Sequence, residues 1–203
     1  MLMNKTETLL VTSPANRVFQ RCVETPILRW LGGRTPGARA LEIGCGSGYG
    51  TKLIIDRFGA ATVDAVDLDP AMVDRARHLL RRYRDQVRVA QGSADDLQTA
   101  IGAEDASYDA VFDFGIIHHV TNWRDAVAEV ARVLKPGGRF YYLEVTAAAL
   151  ARPSYRRFLD HPREDRFTAG QFLVELNTHG LDPAESWPTY VGSDYLAGVA
   201  QKS

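Results

Sequence analysis

Cysteine is scarce in this chain: Cys22 and Cys45 are the only two among 203 residues, too few for a disulfide framework or a CxxC metal site. A surplus of one charge is missing as well. Twenty-four Lys and Arg against 25 Asp and Glu leave a net charge of −1, so no overall basic bias points to nucleic acid or to an anionic membrane. No apolar run approaches the roughly 20 residues that cross a bilayer, and residues 1–8 lack a secretory signal pattern. No further His, Cys or acidic residues fall at metal-ligand spacing. These absences leave a cytoplasmic chain with no metal, no nucleic-acid partner and no membrane partner as the expectation. At 45% hydrophobic and 24% charged, the sequence suits one domain over 1–203, opening with a helical cap over 1–36.

What the chain does have is an alternation of strand and helix patterns. Val18, Cys22, Ile27, Leu28 and Leu31 recur at helical intervals, in a helix that Ser13 and Pro14 start and Gly32 and Gly33 stop. Short apolar or β-branched runs at 40–43, 62–66, 87–90, 108–114 and 139–145 read as strands. Between them, 48–58, 70–83 and 123–134 read as helices, the second with Pro70 in its first turn. That order predicts a parallel sheet with right-handed crossovers and helices on both faces. After Val145 the rhythm changes: 147–167 is charged and carries Pro153 and Pro162. Its Arg152, Arg156, Arg157, Arg163 and Arg166 could bind an anionic acceptor, but interleaved with Asp160, Glu164 and Asp165 they read as a solvated substrate lid. A helix over 168–179 and two β-like runs, 184–190 and 195–201, follow.

The first strand runs into Gly44-Cys45-Gly46-Ser47-Gly48-Tyr49-Gly50, and the second ends on Asp67. A parallel α/β sheet binds an adenosine-containing ligand in this way, with backbone approaching through the glycines and an acid taking the ribose hydroxyls. A dinucleotide fingerprint needs its third glycine three positions after the second, where this chain has Tyr49. Gly44-x-Gly46-x-Gly48, with Glu42 two residues ahead, instead closely resembles the first motif of the class I S-adenosylmethionine-dependent methyltransferases. The resemblance continues through Asp67, residues 92–97, Ile117 to Val120 and Arg132 to Gly138, so it spans about residues 37–146. It implies a Rossmann-like three-layer α/β/α sandwich, with a seven-stranded, mostly parallel sheet and an antiparallel C-terminal hairpin strand. It also implies methyl transfer from S-adenosylmethionine to a small-molecule acceptor in a closed cleft. The alternatives are a non-catalytic protein that binds S-adenosylmethionine or its demethylated product, and a methyltransferase acting on a protein or RNA.

Particular residues take roles from that resemblance. Glycines at 44, 46 and 48 remove Cβ atoms from the path of the cofactor, Cys45 supplies a small buried side chain, and Glu42 acts on the cofactor's amino group through water. Asp67 accepts from the ribose hydroxyls and Leu68 packs on the adenine, whereas Asp69, just before Pro70, reads as a helix cap. Relatives often carry Asp where Ser93 stands. Ser93 and the Ala94 N–H are expected at the adenine, with Asp95 or Asp96 either replacing the missing carboxylate or remaining exposed loop acids. Asp113 and Phe114 border the methionine end, and the lack of a double-proline run after Asp113 argues against nucleobase amino groups as acceptors. His118 and His119 are the catalytic candidates: one faces the methyl group as a general base, or either packs as a core histidine. Acceptor recognition is expected from Arg17, Phe19, Arg21, Trp30, Tyr155, Arg156, Arg157, Phe158, His161, Trp187 and Tyr190.

Overall fold

The computed structural model describes residues 4–153, 165–183, 187–190 and 194–203. Five parallel strands form most of the sheet: β1 (Arg39–Ile43), β2 (Thr62–Asp67), β3 (Val87–Gln91), β4 (Tyr108–Asp113) and β5 (Leu134–Val145). They stand in the order β3-β2-β1-β4-β5. The chain therefore moves outward from β1 to β3, returns to the other side of β1, and opens a crevice at the reversal. Pairing of Ile43 with both Val66 and Asp113 sets the C-terminal ends of β1, β2 and β4 level. The turns after those three strands consequently meet at one edge.

β8 (Tyr195–Lys202) lies antiparallel beside β5, with Arg139 opposite Gln201 and Val145 opposite Tyr195. Its outer edge carries two short antiparallel strands, β6 (Leu181–Asp182) against Gln201 and Lys202, and β7 (Trp187–Tyr190) against Tyr195 and Ala197. β7 stands within the expected run at 184–190; β6 is an addition that two residues could not signal. β5 begins five residues earlier than expected, because Leu134 pairs with Tyr108 before the register shifts at Ala110 and Arg139.

Helices cover both faces. α3 (Thr25–Gly32) and α4 (Tyr49–Leu53, continued as a π turn to Phe58) pack on one side, where Leu28, Phe58, Phe112 and Tyr141 are buried together. α7 (Trp123–Val133) and α9 (Ala169–Thr178) pack on the other, against Leu41, Phe140 and Tyr142. Successive residues of β5 point to opposite faces, so Phe140 and Tyr142 enter one core and Tyr141 and Leu143 the other. Between the layers β1, β2 and β4 are buried almost throughout, as a sheet covered on both faces requires. Helix α5 (Pro70–Leu79) starts at Asp69, whose carboxylate accepts from the Ala71 N–H at 2.8 Å. It stops at Leu79, short of the expected Tyr83, and a 3₁₀ turn over Arg81–Tyr83 follows. α6 (Leu97–Ile101) is capped by Asp96, and α8 (Ala147–Leu150) is a single turn.

The N-terminal segment departs from its sequence pattern. α1 (Lys5–Val11) and α2 (Pro14–Phe19) precede a π turn, Gln20–Glu24, that leads into α3. Val18 is 61% exposed and Cys22 is also exposed; of the proposed apolar face, only Leu28 and Leu31 are buried. The wide turn shifts the helix phase at Gln20–Glu24, so one periodicity cannot hold across 14–32.

Candidate active site

The edge where β1, β2 and β4 end carries a cavity of about 390 Å³. Its floor is the glycine turn. Cys45 N–H donates to the Val66 carbonyl at 2.9 Å and Gly46 N–H to Asp67 Oδ2 at 2.7 Å, so the turn is tied to the end of β2. Asp67 Oδ1 accepts from the Asp69 N–H at 2.9 Å. Two backbone donors thereby fix the Asp67 carboxylate at the cavity wall and leave each oxygen a second lone pair. Burial raises its pKa, against those same two hydrogen bonds.

The three glycines have two different reasons. A Cβ on Gly44 would stand 2.0 Å from Ile116 Cγ1, and one on Gly48 would stand 2.9 Å from Leu80 and 3.0 Å from Ala76. Those two glycines permit close packing. Gly46, at φ +50°, has nothing within 4 Å of its absent Cβ, and the open space there is the cavity. Gly50 joins Gly44 and Gly48 in permitting close packing, since its Cβ would collide with the Glu42 carboxylate. Glu42 is buried and accepts from Thr51 Oγ1. Burial, with Asp67 and Asp113 nearby, pushes it up to about 8 despite Thr51. Cys45 is buried and its thiol is driven further up, first by burial and then by Glu42; it is an inert wall.

Leu68, Asp69, Gly92, Ser93, Ala94 and Asp95 line one end of the cavity. Of the two loop acids, Asp95 reaches it, whereas Asp96 accepts from Thr99 N–H as the cap of α6. At the other end stand Phe114, Gly115, Ile116 and His119. Asp113 is fully buried behind them and does not line the cavity. Its Oδ1 accepts from the N–H groups of Gly115 and Ile116, both at 2.9 Å, and shapes the turn. Burial, then the neighbouring Glu144 carboxylate, raises its pKa far above the ordinary range.

The structure separates the two histidines. His118 Nδ1 lies 2.6 Å from Glu144 Oε2, whose carboxylate also accepts from the N–H groups of Ile117 at 2.6 Å and Val145 at 3.1 Å. His118 faces a small second hollow under Trp123 and Phe167, and burial drives its pKa down to about 4. That is a neutral imidazole pinning a strand end. His119 lines the main cavity and has Glu7 Oε1 of α1 at 3.5 Å from its Nε2.

The roof is supplied by α1 and α2 with the π turn: Val11, Asn16, Gln20 and Glu24 all line the cavity. The sequence signal for Asn16, Gln20 and Glu24 was a polar stripe at four-residue spacing, opposite the apolar positions that drew the helix assignment. Burial and Asp113 raise Glu24 to about 7. Phe19 and Trp30 are exposed, Arg21 lines a separate shallow hollow, and Arg17 stacks over Tyr49 at 5.8 Å. Residues 155–161 lie outside the described residues, as do the side chains of Trp187 and Tyr190. Among the described residues no group of three metal-ligating side chains occurs, and no helix is long and apolar enough to cross a membrane.

Comparison with known proteins matches residues 40–138 to the family model described as "Methyltransferase domain". The chain is 32% identical over 148 residues to a fatty-acid O-methyltransferase of Mycolicibacterium smegmatis, covering 72% of this chain and 47% of that one. It is 32% identical over 115 residues to the highly reducing polyketide synthase verA of Penicillium polonicum, covering 56% of this chain but 4% of the synthase. It thus spans less than half the length of either relative. Among solved structures, the 1,6-didemethyltoxoflavin-N1-methyltransferase of Burkholderia thailandensis, solved with 1,6-didemethyltoxoflavin and S-adenosylhomocysteine bound, superposes with a TM-score of 0.66. At 24% identity it covers 88% of this chain and 76% of that one.

Proposed function

Because residues 40–138 place this chain in the methyltransferase-domain family, among the class I S-adenosylmethionine-dependent methyltransferases, we propose that it methylates a small molecule held beneath α1 and α2. The observation that carries this reading is the roofed cavity. A volume of about 390 Å³ is of small-ligand size, and the roof helices stand where a macromolecular substrate would need an open groove.

The residues present fit S-adenosylmethionine, the cofactor of the family. Gly46 leaves the floor of the cavity open, with no protein atom within 4 Å of where a Cβ would stand, and Asp67 presents oriented lone pairs beside it. Asp67 would hold the ribose hydroxyls, with Leu68, Ser93, Ala94 and Asp95 around the base. Glu42, Gly44, Cys45 and Phe114 would border the amino-acid portion. When bound, the cofactor supplies a methyl carbon already activated by a positive sulfur.

The chain's own contribution is then position and exclusion. In-line displacement needs an oriented nucleophile more than it needs a strong acid or base, and orientation alone can lower a barrier by about 7–11 kcal/mol. The glycine turn is anchored to β2 through Cys45 and Gly46, so the floor stays fixed while residues of α1, α2 and the π turn line the facing side. His119, backed by Glu7, offers a nitrogen at the acceptor end.

Calorimetry with S-adenosylmethionine and with NAD tests the cofactor assignment; heat from NAD alone would end it. Release of S-adenosylhomocysteine, followed over a panel of phenols, amines, quinols and carboxylates, tests turnover. Tight cofactor binding with no acceptor consumed would leave a binding protein instead.

A further inference from the structure

Glu24 has no part in holding the cofactor, yet it lines the cavity. It closes the π turn after α2. In an uninterrupted α-helix each four-residue step rotates a side chain by about 40°, so a stripe at 16, 20 and 24 would drift off its face. The wider turn brings Glu24 back, and Asn16, Gln20 and Glu24 all reach the cavity. Glu24 Oε2 is buried with no hydrogen-bond partner. A buried carboxyl oxygen without a donor is unfavourable by several kcal/mol in general, and the residue that carries this one borders the cavity. Among the described residues the lining includes Glu24, Glu42, Asp67, Asp69 and Asp95, with His119 but neither lysine nor arginine.

We propose that Glu24 binds the methyl acceptor and that the acceptor is a protonated amine; this rests on methyl transfer being the chemistry of the site. With Glu42, Asp67 and Asp95 set against the cofactor, a carboxylate or phosphate acceptor would meet the Glu24 carboxylate with no lysine or arginine among the described lining residues to offset it. An alcohol would satisfy one oxygen of Glu24 but leave the negative lining unanswered, whereas an ammonium supplies both donor and charge. Burial and Asp113 bring Glu24 to about 7, so near neutral pH it can accept a proton as well as hold a cation. The step balances. Glu24 takes one N–H proton from the ammonium, and the freed nitrogen lone pair forms the new N–C bond. The C–S bond breaks with its electron pair remaining on sulfur, and the methylated amine leaves carrying a positive charge if it keeps a proton.

The test uses the intact chain with a panel of alkyl, aryl and hydroxylated amines, each matched to an alcohol and a carboxylate of the same skeleton. Calorimetry measures binding of each to the protein saturated with S-adenosylhomocysteine, and S-adenosylhomocysteine release measures turnover. Expected are binding and turnover of at least one amine with kcat/KM tenfold or more above its matched alcohol and acid. Glu24→Gln should lower that kcat/KM more than tenfold while S-adenosylmethionine affinity and the melting temperature stay near wild type. A matched alcohol or acid that performs as well, a panel in which no amine binds or reacts, or a Glu24→Gln variant with full amine turnover each overturns the assignment and leaves the cofactor reading intact. Failure of the wild-type chain to bind S-adenosylmethionine overturns both.

Discussion

Asp67 and Asp69 stand two residues apart with separate duties. Asp67 is held by the Gly46 and Asp69 N–H groups and faces the cavity, while Asp69 caps α5. Asp67→Ala should therefore weaken S-adenosylmethionine binding by about 1–3 kcal/mol, the loss expected for hydrogen bonds to a charged group, read by calorimetry. The glycines divide in the same manner. Gly46→Ala meets no protein atom but places a methyl in the cavity at a left-handed φ. It should lower stability by only about 1–2 kcal/mol and cofactor affinity at least tenfold. Gly44→Ala drives a methyl into Ile116 and should instead lower the denaturant midpoint sharply, by about 2–5 kcal/mol in stability. Glu42 offers a proton-linked signature. Burial holds it at about 8, so it is mostly protonated at pH 7, and a bound cationic amino group favours its ionised form. Binding should release protons at pH 7 and tighten as pH rises from 6 toward 8. Calorimetric enthalpies in buffers of different ionisation heat report the release, and Glu42→Gln should abolish the excess over the cofactor's own titration.

Among the elements, the strands β1 to β5 were legible because buried parallel strands are short apolar runs with glycine, proline and acid punctuation between them. The cap at Asp69, the glycine turn and the helix at 123–133 were legible for the same local reasons. The roof was not. The phase of α2 changes at the π turn, so Val18 and Cys22 count as a core face in the sequence yet lie outside, and Asn16, Gln20 and Glu24 count as the solvent face yet meet the cavity. The pairing of His119 with Glu7 joins residues more than a hundred positions apart, and no local pattern records it. The opposite end of the sheet holds another long-range junction. Asp64 on β2 accepts from Tyr108 Oη at 2.6 Å, Arg88 Nε at 2.9 Å and Arg39 Nη2 at 3.2 Å, so one carboxylate ties β2 to β4, β3 and β1. Burial would raise its pKa, but those three partners together hold it below the ordinary value. Its contribution is thus present above about pH 4, the ordinary carboxylate value, and fades as pH falls through the lowered one. Both arginines are about half exposed, so solvent screens them. Asp64→Ala should lower stability by about 1–3 kcal/mol at pH 7, with a smaller difference below pH 3, in urea titrations at the two pH values.

For the fold taken together, the sheet depends on a strand that is made long after the neighbour it seals. β8 sits inside the sheet, with β5 on one edge and β6 and β7 on the other, and Leu196, Ala197 and Ala200 on it are buried in the two cores. Removing residues 195–203 should abolish cooperative thermal unfolding and leave an aggregating product, whereas removing Ser203 alone should leave the melting curve close to wild type. Differential scanning calorimetry distinguishes these outcomes. During synthesis the same arrangement imposes a waiting time. About 50 residues separate Val145 from Tyr195, which a ribosome adds in roughly 3–10 s. Through that interval the nascent β5 offers its unsealed backbone to any neighbouring chain, so the yield of folded protein should fall as synthesis crowds unfinished chains together.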